Sequence, residues 1–193
     1  MNDKGNDKGG GKGRRGGDNG GRGGHWVRLI LPGALALVML AACTSSRINY
    51  QHPLVKAAPP SGQAAQLARV YFIRPFTERY NGPADNRLKV EADRFPLMKI
   101  AKGEYTLLNL VPGDVWITVT NLTTWGPDFS MKELSRSRQF RFQPGETYYV
   151  VFDYIDGEFR GAFFVPRLVD ARTARELTRH LRAVGLARSV PLS

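Results

Sequence analysis

Residues 88–122 read LKVEADRFPLMKIAKGEYTLLNLVPGDVWITVTNL, and this stretch decides the fold class. Its apolar residues gather into four short runs, 88–92, 95–100, 105–110 and 115–122, rich in β-branched and aromatic side chains. Between them stand Asp93-Arg94, Lys102-Gly103 and Pro112-Gly113, residue types that reverse a chain within a few positions. Links this tight leave no room for a crossover helix, so successive strands are expected to pair antiparallel.

Downstream, 139–142, 147–155 and 159–165 continue the pattern, punctuated by Pro144-Gly145 and Asp156-Gly157. Upstream, 68–74 is a further strand, stopped by Pro75. Sheets with an apolar face must bury it against another layer, which predicts a mainly β fold, an antiparallel β-sandwich of about 7–8 strands. The period then changes: Ala171, Ala174, Leu177, Leu181 and Val184 recur at steps of three and four, with Asp170 to cap and Gly185 to end. One C-terminal amphipathic helix is therefore expected to close the domain, placed at 68–185 with a tail at 186–193. No internal cysteine pair exists, since Cys43 is the single cysteine.

The residues Arg69-Val70-Tyr71-Phe72-Ile73-Arg74-Pro75, Gly103-Glu104-Tyr105, Val111-Pro112-Gly113 and Pro144-Gly145-Glu146-Thr147-Tyr148-Tyr149-Val150 resemble an uncharacterised family of bacterial lipoprotein domains of unknown function. The resemblance spans roughly residues 68–183 and implies a β-sandwich in a lipoprotein setting, with no activity attached. Asp93-Arg94 departs from it, because the family usually carries Asp-Gly in that hairpin.

The N-terminal third reads differently. Residues 1–24 are almost wholly Gly, Asn, Asp, Lys and Arg, with no apolar surface to offset the entropy of ordering. Arg28 then precedes LILPGALALVMLAA, residues 29–42, an uncharged run too short for the roughly 20 residues that span a bilayer but suited to a signal peptide. It ends in Leu40-Ala41-Ala42-Cys43, which closely resembles the lipobox of bacterial lipoproteins. That resemblance implies cleavage before Cys43, a diacylglycerol on its thiol and acyl chains such as palmitate on the new amine. Residues 1–42 are thus expected to be a leader, and 43–67 a lipidated N-terminus and flexible tether with Pro53, Pro59, Pro60 and Gly62. Thr44, in place of an aspartate after the cysteine, implies sorting to the outer membrane, facing the periplasm.

Cleavage removes seven of the 28 basic and three of the 17 acidic residues, leaving 21 against 14, a formal charge of +7. The Arg-Gly pieces that would invite nucleic acid leave with the leader. The mature chain is expected to meet the membrane through its anchor and, as further partners, an envelope protein or an anionic glycan or lipid.

Chemistry is sparse. Of three histidines, His25 falls in the leader, His52 in the tether and His180 on the terminal helix beside Glu176, so no triad or zinc site is expected. No cofactor is expected beyond the covalent lipid on Cys43. Asp153, Asp156 and Glu158 surround a turn, and paired carboxylates are what glycan hydrolysis requires. A cell-wall hydrolase is accordingly the alternative to a non-enzymatic binding module, and a structural subunit of an envelope or secretion assembly is a third. Two long links, 76–87 and 123–138, carry Phe76, Tyr80, Trp125, Phe129 and Met131 and are expected at one end of the sandwich. Their aromatics are either anchors for a partner, Tyr80, Trp125 and Phe129 foremost, or plugs folded over the core. Arg172, Arg175, Arg179 and Arg182 form a stripe on the expected helix, either a solvated face or a contact for phosphates or an acidic partner.

Overall fold

The computed structural model describes residues 46–56, 66–77 and 82–192. Residues 1–42, expected to be a leader, and Cys43 and Tyr80 lie outside the described residues. Eleven strands occur among those described: β1 Arg47–Ile48, β2 Val55–Lys56, β3 Ala68–Arg74, β4 Leu88–Ala92, β5 Phe95–Ile100, β6 Glu104–Leu110, β7 Gly113–Trp125, β8 Ser130–Phe142, β9 Thr147–Ile155, β10 Phe163–Val169 and β11 Arg182–Gly185. One α-helix occurs among the described residues, α1 Ala171–Thr178, between the last two strands.

The strands form a β-sandwich. One sheet runs β1-β5-β4-β7-β8, the other β10-β9-β3-β6-β11, with β2 sharing the outer edge of β6. Pairing is antiparallel except for β3 with β9 and β11 with β6. Between the sheets lie Val70, Phe72, Leu88, Ile100, Leu108, Ile117, Val150, Phe152 and Phe164, among others. Strand β3 is buried on both faces because a third layer covers the second sheet. There Tyr71, Ile73, Tyr105, Leu107 and Val151 pack with Ala174, Ala187, Leu177, Leu181 and Leu186, so α1 and the C-terminal segment act as a lid. That double burial is why residues 68–74 are apolar almost throughout rather than alternating.

Four expectations need correction. Residues 46–56 are not tether: β1 extends the first sheet and β2 the second, and His52 is buried, with Nε2 3.2 Å from the Ala92 carbonyl and Nδ1 accepting the Leu54 N–H. The link expected at 123–138 is instead the distal part of a hairpin between two 13-residue strands, held by polar rungs such as Thr118–Ser137 and Thr120–Ser135, both 2.7 Å. Much of β8 is exposed, so it carries no apolar alternation to betray it.

The terminal helix stops at Thr178, whose hydroxyl bonds back to the Ala174 carbonyl at 2.8 Å. The chain then turns and Arg182–Gly185 pairs with the N-terminal half of β6, satisfying an edge that would otherwise be unpaired. Finally, β10 begins at Phe163 rather than 159. Asn121 and Thr123, at inward positions of β7, capture the backbone of Ala162 at 2.9 and 3.0 Å and hold the preceding residues out of the ladder.

The hairpin at Asp93-Arg94 keeps a two-residue turn although it lacks glycine. Asp93 and Arg94 have φ of 49° and 71°, both left-handed. Asp93 is fixed there by bonds from its N–H to the Trp116 carbonyl (2.9 Å) and from the Trp116 N–H to its Oδ1 (2.8 Å).

Candidate functional site

Antiparallel order places the ends of β3, β5, β7 and β9 and the starts of β4, β6, β8 and β10 at one end of the sandwich, as the register of Arg74 with Glu104 and of Leu88 with Ile100 requires. At this end three charged residues stand side by side across the second sheet: Arg74 on β3, Glu104 on β6 and Arg182 on β11. Arg74 is 1% exposed and donates to the carbonyls of Asn86 (2.6 Å), Ile100 (3.0 Å) and Ala84 (3.1 Å). Its guanidinium lies 5.1 Å from the centre of the Phe164 ring. Burial pushes its pKa down to about 10, partly opposed by Asp85 and Glu104, so it stays charged at neutral pH. It ties the 82–86 segment to the end of both sheets.

Glu104 is equally buried. It accepts from the Ser46 N–H (3.1 Å), the Ser46 hydroxyl, the Ala101 N–H (3.4 Å) and the Arg182 guanidinium. These four donors replace the water a carboxylate loses on burial. Ser46 is thereby tied to a residue that lines a groove of about 790 Å³.

Around that groove stand Arg87, Lys89, Lys99, Lys102 and Arg182, with the Phe76 ring on the rim. Phe76 is 59% exposed and lies over Gly103, whose φ of 73° and lack of Cβ let the ring approach; a Cβ there would sit 2.3 Å from it. Lys102 pairs with Asp85 at 3.0 Å, Lys89 with Glu133 and Arg182 with Glu104. Arg87 and Lys99 have no carboxylate partner among the described residues, nor does Arg47 on the adjoining strand.

Strand register makes the arrangement sharper. Between β4 and β5 the pairing shifts at Val90/Glu91, so that both Leu97 and Met98 are buried and Lys99 faces Lys89. Arg47 faces Lys99 from the other side. Three exposed cations thus lie in one row across the sheet, and like charges directly opposite one another are destabilising. A second depression, bordered by Arg47, Lys89 and Lys99 with Glu91 as its one carboxylate, adjoins the groove.

Of the residues singled out from sequence, Phe76 and Arg182 meet at this groove; the others are not brought together. Trp125 sits beside the tip of the β7–β8 hairpin with Lys132 Nζ 4.3 Å from its ring centre, while Phe129 at the tip is 73% exposed. Arg172 and Arg175 are exposed on α1 and Arg179 just beyond it, with Arg172 Nε 3.2 Å from Glu176. Arg182 leaves the expected stripe altogether: it belongs to β11 and the groove. Of the carboxylates, Asp153 is paired with Arg167, and Asp156 accepts the Glu158 N–H at 3.0 Å within its own turn. His180 is exposed beyond the helix. Sequence reasoning missed Arg47, Ser46, Arg87, Lys89, Lys99 and Glu104, since only the register shift and the incorporation of residues 46–48 bring them to one place.

The structure therefore defines a class, a two-sheet β-sandwich with a helical lid and a cationic groove at the end where its N-terminal strand enters. Comparison with protein-family models, with curated proteins and with solved structures finds no match to this chain.

Proposed function

We propose that this protein is an envelope lipoprotein: its leader is cleaved before Cys43, the cysteine is acylated, and the β-sandwich is held at the outer membrane on the periplasmic side as a non-enzymatic interaction module. The observation that carries this reading is the uncharged run after Arg28 closing on Leu40-Ala41-Ala42-Cys43. Among the described residues no helix is long and apolar enough to cross a membrane. The facing cations Arg47 and Lys99, neither held by a carboxylate among the described residues, support an interaction role, because such a pair detracts from stability unless an anionic partner offsets it.

Metabolic labelling with an alkyne fatty acid, compared between the wild type and Cys43→Ala, tests the reading. Label and membrane fractionation in the wild type, both lost in the variant, are expected. Equal labelling of the two proteins would refute it.

A further inference from the structure

Ser46 limits how far the domain can stand from a lipid on Cys43. Three residue steps separate them, and at about 3.6 Å per residue their Cα atoms can be no more than roughly 11 Å apart. Ser46 is not itself part of a loose linker, being held by the buried Glu104 through both N–H and hydroxyl. The glycerol of an acylated cysteine lies at headgroup level, so the groove that Glu104 lines falls within about one to two Debye lengths, ~8–10 Å each, of the leaflet surface. At that distance the potential of anionic lipids still acts on basic side chains.

We propose, resting on acylation of Cys43, that this face of the domain docks directly on the anionic phospholipid headgroups of the leaflet that holds the acyl chains. Arg47, Arg87 and Lys99 are the phosphate contacts, and Phe76 is the apolar one.

Four observations carry the proposal beyond the anchor. The three cations lack carboxylate partners among the described residues, whereas at the opposite end of the sandwich Arg141 is held bidentately by Asp114 at 2.8 and 2.9 Å. Arg47, the residue after Ser46, begins the row that Lys99 and Lys89 continue, so the charge is concentrated where the chain meets the membrane. A shallow, open groove lined by flexible cations suits many equivalent phosphates better than one shaped ligand. The exposed Phe76 ring beside it offers an apolar side chain of the kind that inserts at the boundary between headgroups and acyl chains.

The full-length chain provides its own control, because acylation of Cys43 leaves an introduced cysteine as the single free thiol. Asn86→Cys, beside the groove, and Glu146→Cys, at the far end, are each labelled with a fluorophore. The lipidated proteins are placed in phosphatidylcholine vesicles with or without phosphatidylglycerol, all containing a headgroup nitroxide quencher. Quenching at position 86 that exceeds that at 146 and grows with phosphatidylglycerol is expected.

Each cation at an anionic surface contributes about fivefold, so combining Arg47→Gln, Arg87→Gln and Lys99→Gln should lower the docked-to-undocked ratio by about 100-fold. Equal quenching at both labels, quenching that survives the triple variant, or docking that appears only with an added acidic protein would overturn the proposal while acylation, checked by mass, stands. A free Cys43 thiol in the membrane-extracted protein would instead remove the lipoprotein reading and this proposal with it.

Discussion

Lys99→Glu converts the middle of the cationic row into a partner for both neighbours. With charged ends about 6 Å apart, each like-charge contact amounts to about 0.7 kcal/mol in water, and about half of that remains at physiological salt. Reversing the sign at Lys99 changes each contact by about twice the screened value, which would give about 1.4 kcal/mol for the Arg47 and Lys89 contacts together. Lys89 is already engaged by Glu133, which reduces its share, so a net gain of about 1 kcal/mol is expected. For a domain of this size that is a rise of about 3 °C in Tm. Lys99→Gln should give about half the effect. The assay is thermal unfolding of wild type and both variants in detergent, at low salt and at about 1 M NaCl, where the Debye length of about 3 Å should erase the difference. A variant no more stable than wild type at low salt, or a gain that persists at high salt, would refute the reasoning. The same variant should dock less well on anionic vesicles, a trade of function against stability.

Three further outcomes are expected. Arg74→Met removes the donor to three carbonyls and relieves the burial of a cation; the balance is a loss of about 2–4 kcal/mol in urea denaturation, with faster hydrogen exchange at residues 82–86. Gly161→Ala should destabilise by about 2–4 kcal/mol, because φ 73° and ψ 156° are glycine territory and the new Cβ would stand 2.7 Å from the Thr124 carbonyl; unchanged urea unfolding would contradict the fold in this region. At the start of α1, bonds from the Thr173 N–H and hydroxyl hold the Asp170 carboxyl below the usual carboxylate range. Its contribution is therefore full above the ordinary Asp value and lost as the pH falls through the lowered one. Protection of the Thr173 amide should decline over that range in the wild type and stay flat in Asp170→Asn, which caps without titrating.

The strands whose inward residues are apolar were legible at once: β3, β4, β5 and β9 lie where β-branched and aromatic runs bounded by turn residues put them. Legibility failed where stability comes from the backbone ladder rather than from burial. The outer part of the β7–β8 hairpin has too few inward apolar residues to show a period, above all on β8, and β1 and β2 are two residues each, too short for any period to emerge. Leu181 and Val184 continue the spacing of a helix, but Val184 is buried through pairing with β6, a tertiary demand that periodicity cannot show.

The candidate site was legible only through Phe76, as a loop aromatic, and Arg182, which was assigned to the wrong element. Lys89 and Lys99 are visible as polar positions in apolar strands. A regular two-residue hairpin would set Lys89 against Met98, and the shift that buries both Leu97 and Met98 sets it against Lys99 instead. The role of Ser46 follows only from its bonds to Glu104, 58 residues away.

The mass of the protein extracted from membranes decides whether Cys43 is the anchor. The expected species is a chain that begins at Cys43 and carries the added mass of two or three acyl chains. A chain that still begins at Met1 with an unmodified Cys43 thiol would contradict that role.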